Sequence, residues 1–393
     1  MRVSWIIVVP VFLTACVPLM RQADSRTVTH RIRARHPSLH ADGPQAYSLR
    51  EVKDKSGSPS EYTMTVDSVI CPERVCLLST VRLTWDALGH YQRFELPQGE
   101  HLEKGLPADK RKAAADLAAP WKGVPFTEAD YRKLDAILKD EHSLLSQQNL
   151  AGLSGGRGKD LVDGITGATP ASVRDAVVEG ASLTCFNLWH WANGEVAAAA
   201  KELTHQQCGA EMLLRFLASD KPHYVLFALE HLRLHRVFDP QAQEAVCAVM
   251  RGGGRERIDL GLAYLREALP DSDAFYRTVG GVINDGTGEC RTYLLDRLAS
   301  EKSLRSTLFD TLGAGLPNWA NYYEIHLFLR LAEKHGTVTP RLSAQVAQLL
   351  ENPNFFIARR AYGFLSGQAA PDAQTAPRLQ AFRDKAARDG RSL

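Results

Sequence analysis

The chain has 393 residues, enough for two domains with separate hydrophobic cores. An apolar share of 45% is that of an ordinary globular protein and excludes a chain that is disordered throughout. Lys and Arg number 47 against 45 Asp and Glu, and the resulting net charge of +2 argues against nucleic-acid binding as the main task.

Met1-Arg2 precede an apolar run from Val3 to Leu13, and Leu13-Thr14-Ala15-Cys16 follows. A charged start, an apolar core and small residues at the end describe a secretory signal. The apolar run is too short for a comfortable transmembrane helix, and no later stretch reaches spanning length. The Leu-Thr-Ala-Cys ending resembles a bacterial lipobox. That resemblance implies a lipoprotein signal peptide over residues 1–16 and a lipid on Cys16. It also implies a periplasm-facing place in the bacterial cell envelope, with the outer membrane as the default because Val17, not Asp, follows the cysteine. A plain signal peptide or a short apolar anchor is the other reading. Residues 17–45 hold Arg21, Arg26, Arg31, Arg33, Arg35, His30, His36 and His40 with few large apolar residues. They are expected to form a solvated tether, with contact to anionic headgroups as a second reading.

Residues 46–192 read as an α+β domain. Glu61 to Ile70 carries Tyr62, Met64, Val66 and Val69 and is expected as a strand. Leu77 to Trp85 and Tyr91 to Leu96 are expected as a hairpin around Ala87-Leu88-Gly89-His90. Alternation puts Val81, Leu83 and Trp85 on the apolar side of the first of these strands. Pro107 to Ala118 suits an exposed helix. A further helix should start at Thr127 as N-cap, with Tyr131, Leu134, Ile137 and Leu138 as its apolar face.

The most specific segment is Asp163-Gly164-Ile165-Thr166-Gly167-Ala168-Thr169-Pro170. Gly167 permits a close backbone approach that a Cβ would block. Thr169-Pro170 has the form of an N-cap with Pro at the first helical position. Ala171 to Trp191 should follow as a helix, with Val173, Val177, Ala181, Leu183, Phe186, Leu188 and Trp189 mostly three or four residues apart. A helix N-terminus favours a phosphate through its open N–H groups and dipole. A tight turn with an ordinary helix cap is the bland reading of the same residues.

This segment resembles the acceptor site at which FMN is joined to a threonine as a phosphoester. In that family an Asp, two variable residues, Ser or Thr, and Gly-Ala-Thr are fixed. Asp163, Thr166, Gly167, Ala168 and Thr169 match, and Thr169 would be the acceptor. The order of strands first and motif late also resembles the FMN-binding domain of flavin-carrying subunits in sodium-pumping and Rnf-type electron-transport complexes. The resemblance implies covalent FMN as cofactor, a flavin transferase as partner and a redox partner protein. Asp163 would help to bind or orient the acceptor hydroxyl. The chain departs from those subunits in having a lipobox in place of a transmembrane helix, and a long C-terminal extension. Trp85, Tyr91, Trp189, Trp191 and His190 are candidates to line the flavin, or else core residues.

From residue 193 to 393 the pattern is all-helical. Candidate helices begin near 194, 208, 222, 240, 255, 273, 289, 303, 320, 340, 354 and 373. Asp239-Pro240, Gly252-Gly253-Gly254, Leu269-Pro270, Leu316-Pro317 and Asn352-Pro353 separate several of them. Pairs recurring every 30 to 40 residues describe an α-solenoid of HEAT-like repeats, each burying its apolar face against its neighbours. Tyr224, Phe227, Leu229, Leu232, Leu260, Ala263, Tyr264 and Leu265 are expected in its core.

Cys71, Cys76, Cys185, Cys208, Cys247 and Cys290 remain after Cys16, an even number that permits disulfides in an exported chain. Six cysteines allow 15 connectivities, and Cys71–Cys76 is the favoured pair. No spacing implies a metal site, and no Walker motif or Gly-x-Ser-x-Gly elbow assigns a catalytic residue. The expected function is electron transfer by an exported, lipid-anchored flavoprotein. The alternative is a cofactor-free helical-repeat lipoprotein that scaffolds envelope partners.

Overall fold

The computed structural model describes residues 26–38, 43–70, 77–96, 127–148, 177–178, 181–336, 338–368 and 373–393. Two compact units divide the chain after Cys208. No helix among the described residues is long and apolar enough to cross a membrane.

The first unit is built on one antiparallel sheet whose five strands are neighbours in chain order. These are β1 (Thr27–Ala34), β2 (Gln45–Lys53), β3 (Pro59–Ile70), β4 (Leu77–Asp86) and β5 (Tyr91–Glu95). The alternation of β3 and β4 is expressed as direct cross-strand pairs. Tyr62 lies opposite Trp85, Met64 opposite Leu83 and Val66 opposite Val81, all six buried.

Part of the expected tether is instead a strand. β1 pairs with β2 from Thr27↔Val52 to Ala34↔Gln45. Ile32 and Ala34 turn inward while Arg31, Arg33 and Arg35 are exposed, so the arginine content hides a two-residue period. β1 is an edge strand, where such charges discourage pairing with another chain. β2, which the sequence did not reveal, carries Glu51 with its carboxylate fully buried. His30 Nε2 lies 2.5 Å from that carboxylate, Gln207 Nε2 donates to it at 3.0 Å, and Lys53 Nζ is at 3.6 Å.

Helices α1 (Glu128–Lys139), α2 (Ser182–Asn193) and α3 (Glu195–Gln207) close the first unit, with a 3-10 turn at Leu144–Gln147. Thr127 caps α1 as expected and forms a capping box with Asp130, whose carboxyl is held below its usual range by the Thr127 hydroxyl and backbone N–H. Leu134, Ile137 and Leu138 are buried, whereas Tyr131 is exposed. Trp85 Nε1 donates to the Ala192 carbonyl at 2.6 Å. The hydroxyls of Tyr62 and Thr204 are 2.9 Å apart, and Thr204 donates onward to the Ala87 carbonyl. α3 therefore belongs to the first unit.

Burial pushes the Tyr62 hydroxyl up to about 12, with Glu51 adding to the shift and Thr204 opposing it. An unfolded tyrosine titrates near 10, so its proton is kept by the folded chain and lost by the unfolded chain between those values. Stability from this group is complete below pH 10 and falls as pH rises to 12, by roughly 2–3 kcal/mol. Urea midpoints measured across that window should decline for the wild type and less steeply for Tyr62→Phe. Equal slopes would place the alkaline sensitivity elsewhere.

The second unit is a repeat of helical pairs. Its first row is α4 (Ala210–Leu217), α6 (Pro240–Arg251), α8 (Ser272–Asp285), α10 (Ser306–Gly315), α12 (Pro340–Gln348) and α14 (Thr375–Arg388). Its second row is α5 (Pro222–Leu234), α7 (Arg255–Ala268), α9 (Gly288–Ala299), α11 (Tyr322–His335) and α13 (Phe355–Ser366). Successive helices of this row start 33 or 34 residues apart, and neighbours within each row pack together. Asp239, Asp271, Thr287, Asn321, Thr339 and Asn354 cap helices with their side chains. The spacing recurs in polar contacts between repeats: Arg233 with Glu267, Tyr293 with Asp259, Thr307 with Asp273, and Arg291 with Glu324. Tyr224, Phe227, Leu229, Leu232, Tyr264 and Leu265 are core residues as expected; Leu260 and Ala263 are half-buried.

Candidate functional site

Asp163, Thr166, Gly167, Ala168 and Thr169 lie outside the described residues, as do Cys16, Cys71, Cys76 and the helix expected over Pro107 to Ala118. After the motif the described residues are Val177, Val178 and those from Ala181 onward. α2 begins at Ser182 and does not run continuously from Ala171 as expected, because Val177 and Val178 are buried and not helical. The Ala181 N–H donates to the Val178 carbonyl at 3.1 Å, and the Val178 N–H lies 3.3 Å from Cys185 Sγ.

The aromatic candidates prove to be packing residues. Trp85 is tied to Ala192, Trp189 Nε1 donates to the Asp140 carbonyl at 2.9 Å, and Tyr91 donates to Asp135 at 3.0 Å. Burial and Asp135 hold the Tyr91 hydroxyl far above its usual range. Trp191 meets Tyr47 edge-on, with ring centres 4.9 Å apart.

The possible disulfide partners Cys185, Cys208, Cys247 and Cys290 are buried thiols. Each occupies the interior side of its own helix or helix end, and spacing along the chain does not reveal that separation. Cys208 Sγ donates to the His205 carbonyl at 3.1 Å. Burial pushes the Cys247 and Cys290 thiols up to about 11, which suppresses the nucleophilic thiolate.

What sequence reasoning missed is the second face of α2. Cys185, Leu188, Trp189 and Ala192 join the core beneath the sheet. Phe186, Asn187 and His190 fall on the opposite side of the helix at three- and four-residue steps. Asn187 is 1% exposed, yet neither atom of its amide has a hydrogen-bond partner. Buried Nε2 of His190 also has none. The His190 ring is held by the Leu145 carbonyl, but burial outweighs that bond and lowers its pKa, so the ring is neutral near pH 7. The residue types were visible in the sequence; their burial without partners was not.

Three clefts are lined by other residues. One of about 310 Å³ in the first unit is bordered by His90, Glu141, His142, Asn193 and Lys201. In the second unit, one of about 570 Å³ is bordered by Arg255, Glu289, Tyr293, Asp296 and Tyr323. Another of about 410 Å³ has Leu214, Leu217, Val225, Ala248 and Val249 in its wall. None brings together a nucleophile, base and oxyanion donor.

A flavin ring needs an apolar slot with a few convergent polar groups. Phe186, Asn187 and His190 place one aromatic ring and two polar groups on one helix face, and none of the three clefts is lined by them. No protein-family model, curated protein or solved structure matches the chain.

Proposed function

We propose that the chain is a lipid-anchored envelope flavoprotein that carries electrons through FMN esterified to Thr169. The observation that carries this reading is the complete set Asp163, Thr166, Gly167, Ala168 and Thr169, beside a lipobox ending at Cys16. Attachment forms a bond between Thr169 Oγ and the FMN phosphorus. The hydroxyl proton is removed, a phosphoanhydride bond of the flavin donor breaks, and the leaving group departs with the bonding pair. A separate flavin transferase supplies that catalysis. Bound FMN supplies the electron chemistry; the protein's part is to hold the ring and keep water from it. The helical repeats offer the cleft beside Tyr293 and Tyr323 as a place for a redox partner protein.

The second reading is a cofactor-free scaffold, favoured by the regular 33- or 34-residue spacing of the second unit. Export of the full chain alongside a flavin transferase distinguishes them. A flavin-fluorescent band on a denaturing gel, lost completely in Thr169→Ala, is expected. A dark wild-type band, with a known acceptor protein labelled in the same cells, would leave the scaffold.

A further inference from the structure

We infer that the outward face of β1 and β2 lies against anionic lipid headgroups, with Arg31, Arg33 and Arg50 engaging their phosphates. The inference deepens the lipid-anchored reading of the chain and does not depend on the flavin.

The strand register builds this face. Arg31 lies opposite Ser48, Arg33 opposite Ala46 and Thr29 opposite Arg50. Alternation sends Ile32, Ala34, Leu49 and Glu51 inward, so the three arginines share the other side, and all three are exposed. Arg31 and Arg50 are diagonal neighbours across the strands, about 7 Å apart, and Arg33 stands two residues further along β1. Charge is unevenly spread over the outward side of the sheet. Toward β5 each cation has a carboxylate: Arg93 donates to Glu61 at 3.0 and 3.1 Å, and Arg82 to Glu95 at 3.3 Å. On β1 and β2 no outward position is a carboxylate. Among the described residues none of the three arginines has an ion-pair partner, and Arg33 donates only to the neutral Pro44 carbonyl at 3.2 Å. Protection of an edge strand accounts for Arg31 and Arg33 but not for Arg50, because β2 has a strand on both sides.

The chemistry and the place of these groups limit what they meet. Like charges gathered on one face repel, and an external anion relieves that repulsion. A guanidinium presents a planar fork of donors that matches the oxygens of a phosphate. The forks stand on an open sheet surface and line none of the three clefts, which suits a plane of headgroups better than a small enclosed anion. The same strand is the part of the fold nearest the proposed anchor along the chain. Cys16 precedes Arg26 by ten residues, a reach of at most about 35 Å. A lipid on Cys16 therefore keeps β1 close to the membrane surface, where weak contacts are made at high effective concentration.

The test uses the chain from Val17 to Leu393, the proposed mature protein without its lipid, which keeps every described residue. It should sediment with phosphatidylcholine vesicles containing about one third phosphatidylglycerol, less so as salt is raised, and should not sediment with pure phosphatidylcholine. Arg31→Gln and Arg50→Gln should each weaken binding about fivefold, and the triple variant Arg31→Gln, Arg33→Gln, Arg50→Gln about a hundredfold. Arg82→Gln removes a cation that Glu95 already pairs, and it should bind as the wild type does. Inorganic phosphate at constant ionic strength should not displace the vesicles; displacement would make free phosphate the ligand and overturn headgroup docking. No binding to the anionic vesicles, equal binding to neutral ones, or a loss in Arg82→Gln as large as that in Arg50→Gln would overturn it as well. The mass of the Cys16 peptide from exported full-length protein reports the lipid separately, so a missing anchor and an inert arginine face are told apart.

Discussion

Replacing Arg291 with alanine should destabilise the second unit by about 3–5 kcal/mol, the cost of leaving one partner of a buried ion pair alone. Arg291 Nη1 donates to the Glu324 carboxylate at 2.5 Å, and the two side chains are only 13% and 6% exposed. The same guanidinium donates to the Ile283 and Asn284 carbonyls at 3.2 Å and to the Gly286 carbonyl at 3.1 Å. It also lies over the Trp319 ring, 4.9 Å from its centre. One side chain therefore closes the end of α8, neutralises a carboxylate on α11 and covers an indole. Arg291→Lys should recover little, because an ammonium has no planar fork with which to reach acceptors in several directions. Arg233→Ala is the comparison: its pair with Glu267 is half-exposed and should be worth less than about 1 kcal/mol. Urea midpoints followed by far-ultraviolet dichroism measure both. Equal losses in the two variants would show that burial of the Arg291 pair is of no consequence.

Gly89→Ala should cost the first unit about 3 kcal/mol, from two sources that a second glycine separates. Gly89 has φ +79°, where an L side chain is strained, and an added Cβ would come within 2.2 Å of the Ala197 carbonyl oxygen. The neighbour is backbone in α3 and has no rotamer through which to yield. Gly57 has φ +82° with nothing within 4 Å of its absent Cβ. Gly57→Ala should therefore show only the conformational term, about 1 kcal/mol. The excess at Gly89 measures how firmly the β4–β5 turn is seated on α3. A Gly89→Ala loss no larger than that of Gly57→Ala would mean that the turn can lift away freely.

The elements legible in the sequence are those whose signals are local. Asp239-Pro240 announces a helix start with a cap and a residue suited to the first turn, and the helix begins there. Val81, Leu83 and Trp85 alternate cleanly and do face the core. β1 and β2 were hidden because their inward positions are few and one of them, Glu51, is a carboxylate. Gln207, 156 residues away, His30 on the neighbouring strand and Lys53 on the same strand together accommodate this group. The start of α2 was misjudged because apolar spacing continues through Val177, where the chain is buried without being helical. The candidate site divides along the same line. The acceptor threonine proposed above rests on a motif alone, whereas the burial of Asn187 without hydrogen-bond partners is encoded by no spacing along the chain.

The two units differ in how far along the chain their contacts reach. In the second, the bonds between repeats join residues about one repeat apart, such as Arg266 with Glu301 at a separation of 35. Each pair of helices can settle on its predecessor as soon as it is made. The first unit is closed by Trp85 with Ala192, Tyr62 with Thr204 and Glu51 with Gln207, separations of 107, 142 and 156. Its meander can form early, but the contacts that α2 and α3 make with the sheet's buried face wait until those helices exist. Distant closures slow folding because loop entropy is lost before the contacts form. During synthesis from the N-terminus, the sheet therefore waits for distant segments before its closing contacts are complete, whereas each repeat of the second unit needs only its neighbour.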